Sequence, residues 1–152
     1  MNIDKPALDF LKWVKWENRG NIANMGFPGI YAIAITDKNL DNADFNWHDV
    51  VYIGMSTSRK GLKDRLYFLD KAINGKSKDH SGGKRMYEKL GNYETWSRKM
   101  FVVTQIIPCN VNKDRGRTPE DLIKMGWIAF LEYEALAKYK EITGNEPTFN
   151  KK

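Results

Sequence analysis

Two tyrosines, each next to a glycine, are the first residues in this sequence that could do chemistry: Gly29-Ile30-Tyr31 and Tyr52-Ile53-Gly54. Glycine in a strand lets another backbone or a ligand approach closely. A tyrosine hydroxyl can bond a water or a phosphate oxygen. Either tripeptide also suits an ordinary strand, because Tyr and Ile are good strand residues. Arg65, in Gly-Leu-Lys-Asp-Arg-Leu, flanks an apolar stripe begun by Leu62 and Leu66. A guanidinium placed there can grip a phosphate in fork geometry, or simply be solvated. Glu132 lies in Ala-Phe-Leu-Glu-Tyr-Glu-Ala-Leu, in the middle of a helical face formed by Met125, Ile128, Ala129, Ala135, Leu136 and Tyr139. A carboxylate on an apolar stripe is costly unless it is paired, for instance with Arg65, or bound to a metal. Glu134 falls on a side shared with Lys138 and Glu141 and reads as solvent-exposed.

In this order the residues resemble the marks of the GIY-YIG nuclease family: GIY, YIG, an Arg on the next helix, a metal-binding Glu on a later helix, and a terminal Asn after a Pro. Here these are Gly29-Ile30-Tyr31, Tyr52-Ile53-Gly54, Arg65, Glu132 and Asn150, spanning most of the chain. The resemblance implies an α+β fold, a small three-stranded antiparallel sheet flanked by helices. It also implies a divalent-metal-dependent endonuclease that hydrolyses phosphodiester bonds in DNA. One Mg²⁺ or Mn²⁺ would sit on Glu132, with Glu134 as substitute ligand. Arg65 would stabilise charge building on the scissile phosphate. Tyr31 and Tyr52 would position and deprotonate the attacking water, with Tyr31 as the base. Asn150 would orient the site by hydrogen bonds. A tyrosine's free pKa is near 10, so nearby cations would have to lower it.

Two departures from the family pattern stand out. Many members carry a His or Tyr one turn after the Arg, where this chain has Leu69. His80, Lys63 or Tyr67 is then the candidate to handle protons, and His80 is included among the catalytic candidates. The stretch from Glu132 to Asn150 is also longer than expected, which is why Glu134 stays in view. The reading from a different class is a catalytically inactive nucleic-acid-binding module with the same fold, favoured by Leu69.

These side chains need a frame. Gly29–Thr36 and Val50–Ser56 read as an antiparallel hairpin with a long polar loop, and Met100–Ile107 as a third strand. Leu62, Leu66, Leu69 and Ile73 recur at helical spacing and predict a helix over 61–74. A flexible basic loop over 75–83 and a short helix over 84–90 follow. Thr118-Pro119-Glu120-Asp121 reads as a helix start, with Thr118 as cap, and Gly144 as the stop. Asp4 and Pro6 suggest an N-terminal helix over 5–17, with Leu8, Leu11 and Val14 inward. One domain is expected over 1–152, with an N-terminal helix and connection over 1–27 and the core over 28–150.

Composition narrows the partners. With 25 Lys and Arg against 19 acids the net charge is +6, a bias toward polyanions. Arg59, Lys60, Lys63, Lys76, Lys78, Lys84 and Arg85, with Lys71, are the densest basic stretch and are expected to line one phosphate track beside Arg65. Lys113, Arg115 and Arg117 form a second cluster. DNA is the expected partner, with RNA left open, and a homodimer would suit a two-fold target. The single cysteine, Cys109, rules out an intrachain disulfide, and a reducing cytoplasm is the expected location. Neither a membrane span nor a signal peptide is read in the chain.

Overall fold

The computed structural model describes residues 3–151, and its centre is the strand Gly29–Ile35 (β2), buried along nearly its whole length. Val50–Ser56 (β3) pairs with one edge of β2 and Met100–Ile106 (β4) with the other, both antiparallel. A two-residue strand, Val14–Lys15 (β1), joins β4, so the order is β1-β4-β2-β3. The helices are Gly61–Ile73 (α1), Ser81–Leu90 (α2) and Pro119–Thr143 (α3). The class is α+β, with four antiparallel strands where three were expected.

Period-two alternation along β2 sends its side chains to two separate cores. Tyr31 and Ile33, with Tyr52 from β3 and Val102 from β4, pack under Leu62, Leu66, Leu69 and Ile73 of α1 and Met86 of α2. Ala32 and Ala34, with Ile53 and Val103, pack under Ala135, Leu136 and Tyr139 of α3, and Ile30 meets Ile128 and Leu131. The small alanines let α3 lie close to the sheet.

Helix ends follow local chemistry. Thr118 Oγ1 accepts from Asp121 N–H, and the Asp121 carboxylate accepts from Thr118 N–H, closing a capping box before Pro119. Gly144, left-handed at φ +83, stops α3 by donating to Lys140 O.

The expected helix over 5–17 does not form. Leu11 N–H donates to Thr104 O and Trp13 N–H to Ala43 O, while Val14 and Lys15 pair with Val102 and Phe101. The Gln105 side chain also holds Asp9 N–H and Ala7 O. Leu8, Phe10 and Trp13 point into the core, and Leu11 points out. An extended segment satisfies its backbone on β4, whose outer edge would otherwise stand open. Asp4 therefore caps nothing.

Candidate functional site

Tyr31 and Gly54 are direct partners across β2 and β3. The Tyr31 ring lies over Gly54, and a Cβ there would come within 2.6 Å of its Cζ and Oη. The second motif's glycine is thus demanded by the first motif's tyrosine. Tyr52 lies on the same face, with ring centroids 6.0 Å apart.

His80 completes this cluster from the loop between α1 and α2. Its Nε2 is 2.6 Å from Tyr31 Oη, and its ring centroid is 5.3 Å from that of Tyr52. The imidazole is 0% exposed. Gly83 N–H donates to His80 Nδ1, so the side chain caps α2. Because Nδ1 is the acceptor, a neutral ring carries its proton on Nε2 and donates it to Tyr31 Oη. Burial lowers the imidazole pKa to about 3, and the nearby Arg65 and Arg85 charges add to this, so the ring is neutral at ordinary pH.

Two glycines expected in a flexible loop instead seat the first turn of α2. A Cβ on Gly82 would fall 2.3 Å from Tyr52 Cε1, and one on Gly83 would fall 2.9 Å from Leu69 Cδ1. Helix α2 consequently begins at Ser81 and not near 84. Leu69, the departure from the family pattern, is core beneath this turn. An imidazole instead reaches the cluster from the loop between α1 and α2.

Burial holds the Tyr31 hydroxyl well above its ordinary pKa; the neighbouring Tyr52 reinforces this, while Arg65 opposes it. An enclosed tyrosine held neutral by burial, its oxygen on His80, is poorly suited to be the base. Of the two tyrosines, only Tyr52 keeps contact with solvent, at 6% exposure. Arg65 is half-buried on the flank of α1 and donates from one guanidinium nitrogen to Asp79 O at 3.2 Å. That bond ties it to the residue before His80.

Asn150 acts on the backbone of the second motif. Its Oδ1 accepts from Ile53 N–H at 2.9 Å, and its Nδ2 donates to Ile53 O at 2.8 Å. Phe149 N–H donates to Val51 O, and Arg85 Nε donates to Phe149 O at 2.7 Å. The chain end therefore pairs with the free edge of β3 and fixes the strand between Tyr52 and Gly54.

Glu132 is 4% exposed, within the buried stripe of α3. That helix covers the sheet face of Ala32 and Ile53, whereas Tyr31, Tyr52 and His80 share the other face. Glu134 is bound to Lys5, 2.9 Å away. Among the described residues no three of His, Cys, Asp or Glu come together to hold a metal, so a cage of several side chains is not offered. Glu132, the carboxylate expected to hold the cation, is enclosed on the α3 side of the sheet, and among the described residues no pair of further carboxylate, histidine or cysteine ligands joins it.

The basic residues of this stretch sit on α1, α2 and the loops beside them. Arg59, Lys60 and Lys63 border a concavity with Tyr67, on the side of α1 away from Arg65. Lys76 and Lys78 lie in the loop before His80, and Lys84 and Arg85 on α2. Arg59 is paired with Asp114 and Lys84 with Glu88, both in exposed positions of little energetic weight. Lys76, Lys78, Lys84 and Arg85 are not among the residues lining that concavity. No helix among the described residues is long and apolar enough to cross a membrane. In comparison with known proteins, no family model, curated protein or solved structure matches this chain.

Proposed function

We propose that the chain is a metal-dependent endonuclease of the GIY-YIG kind, hydrolysing phosphodiester bonds in DNA. The observation that carries this reading is the meeting of Tyr31, Tyr52, Arg65 and His80, brought from two strands, a helix and a loop. Two tyrosines and a histidine buried together at one end of a sheet, with a half-buried guanidinium beside them, need a reason beyond packing, and pre-organised chemistry is one.

On this reading Tyr52 is the hydroxyl that orients the attacking water. The water oxygen bonds to phosphorus, the bond to the leaving oxygen breaks, and a proton passes to that oxygen. Arg65 balances the extra negative charge on the phosphate. His80 and Tyr31 stand behind Tyr52 as positioning residues, and Asn150 fixes the strand that carries it. Glu132 is the residue that would hold a Mg²⁺ or Mn²⁺, and the ion would supply polarisation of the phosphate and stabilisation of the leaving oxygen; whether it can do so from the sheet face opposite Tyr52 is what Glu132→Ala tests.

A second reading, an inactive nucleic-acid-binding module, is favoured by the enclosure of Tyr31 and His80 and by Glu132 lying on the other sheet face. Plasmid cleavage with Mg²⁺, Mn²⁺ or EDTA, comparing the wild type with Glu132→Ala, separates the two. Cutting that needs metal and disappears in the variant is the expected result. No cutting, with a gel shift retained, supports the module. Cutting that survives Glu132→Ala removes Glu132 as the ligand and makes Glu134 the next candidate.

A further inference from the structure

A shallow groove runs across the N-terminal end of α1, outside the Tyr31–His80 cluster. Its floor and walls include Gly26, Arg59, Lys60, Lys63 and Tyr67, and it continues toward Phe27 and Arg115. With 3.6 residues per turn, Lys60, Lys63 and Tyr67 share one side of the helix. Arg65 lies on the far side of the Leu62–Leu66–Leu69 stripe. Lys60, Lys63 and Arg115 take part in no ion pair among the described residues. Asp64 is the acid in the same wall, and Asp114 is taken up by Arg59.

The aromatic content decides what this groove suits. Tyr67 is 53% exposed and Phe27 is 41% exposed, so both present ring faces beside the groove cations. Lys71 Nζ sits 5.4 Å from the Tyr67 ring centroid and Phe68 meets it edge-on, which restrains the ring without covering it. Cations spaced along a groove match a phosphate backbone. Exposed rings between them offer stacking faces, which only unpaired bases can use. A duplex hides those faces and would gain nothing from Tyr67.

We propose that this groove binds a single nucleic-acid strand, stacking a base on Tyr67 and holding its phosphates with Lys60 and Lys63. This rests on the nucleic-acid reading above and deepens it: the substrate carries an unpaired segment that runs past the α1 side away from Arg65.

The test is fluorescence anisotropy of the full chain with a labelled single strand of about 16 nucleotides and with a blunt duplex of equal length. Tyr67→Ala is expected to weaken single-strand binding by about five- to a hundredfold and to leave duplex binding unchanged. Lys60→Ala combined with Lys63→Ala is expected to reduce the salt slope for the single strand by about 1.4. These are surface changes, and Lys60 makes no capping bond to α1, so folding is spared. Variants that bind the single strand as the wild type does would overturn the groove and leave the nuclease reading to its cleavage assay. Tighter binding of duplex than of single strand would overturn the unpaired-strand assignment. Absence of any nucleic-acid binding at low salt would overturn both.

Discussion

Lowering the pH should destabilise this protein through one histidine before its carboxylates begin to titrate. His80 is buried and neutral, with its pKa held at about 3 by burial and by the Arg65 and Arg85 charges. In the unfolded chain its pKa is about 6.5. The folded value is the lower one, so as pH falls the unfolded chain takes up the proton first. Stability from His80 is therefore complete above about pH 6.5 and is lost progressively down to about pH 3. The loss is about 1.4 kcal/mol per pH unit, so about 2 kcal/mol is gone by about pH 5. With a urea slope of roughly 2 kcal/mol/M, the unfolding midpoint should move by about 1 M between pH 8 and pH 5. Tryptophan fluorescence can follow the transition, since Trp13, Trp16 and Trp96 are buried. The control is His80→Asn. Asparagine still caps Gly83 N–H but cannot titrate. It should be less stable at about pH 8, because Tyr31 loses its partner, yet its midpoint should stay nearly flat over this range while the wild type's falls toward it. Parallel loss of stability in the wild type and His80→Asn would refute the argument, since every other titrating group is common to both.

Two further substitutions probe the frame of the site by urea unfolding. Asn150→Ala removes both bonds to Ile53 and should cost about 1–3 kcal/mol. Asn150→Asp should cost at least as much, because it keeps an acceptor for Ile53 N–H but turns a charged oxygen toward Ile53 O; full stability in Asn150→Asp would show that the clamp carries no weight. Gly54→Ala places a methyl 2.6 Å from the Tyr31 ring and should cost about 1–3 kcal/mol, and a neutral effect would mean that the ring does not lie where the register puts it.

The regular core of this fold was legible from periodicity. The three long strands and helices α1 and α3 were visible because their apolar spacing is clean and their ends carry capping residues or glycine. The N-terminal segment was not. Leu8, Leu11 and Val14 fit a helical stripe well, but Leu8 and Phe10, two residues apart, both pack inward, which an extended chain allows and a helix does not. Nothing local reveals that β4 has an edge in need of covering, since that depends on a strand some ninety residues away.

The candidate site was legible as residue types but not as an arrangement. The positions of Tyr31, Tyr52, Arg65 and Asn150 follow from their elements, whereas the enclosure of Tyr31 depends on α2 beginning at Ser81. In sequence, Ser81-Gly82-Gly83 looks like a flexible loop. In the fold the two glycines are what allow close contact, one against Tyr52 and one against Leu69. Leu69 therefore explains His80: an apolar side chain at that position lets the turn descend, and the descending turn delivers an imidazole to Tyr31. An imidazole or phenol at residue 69 would bury a polar group beneath Gly83 and hold the turn away. The packing of Leu69 and the placement of His80 against Tyr31 are thus coupled through the Gly82-Gly83 turn. If the chain cuts DNA, it does so with its histidine behind the tyrosines, where it can set the orientation of Tyr31 but cannot reach the phosphate.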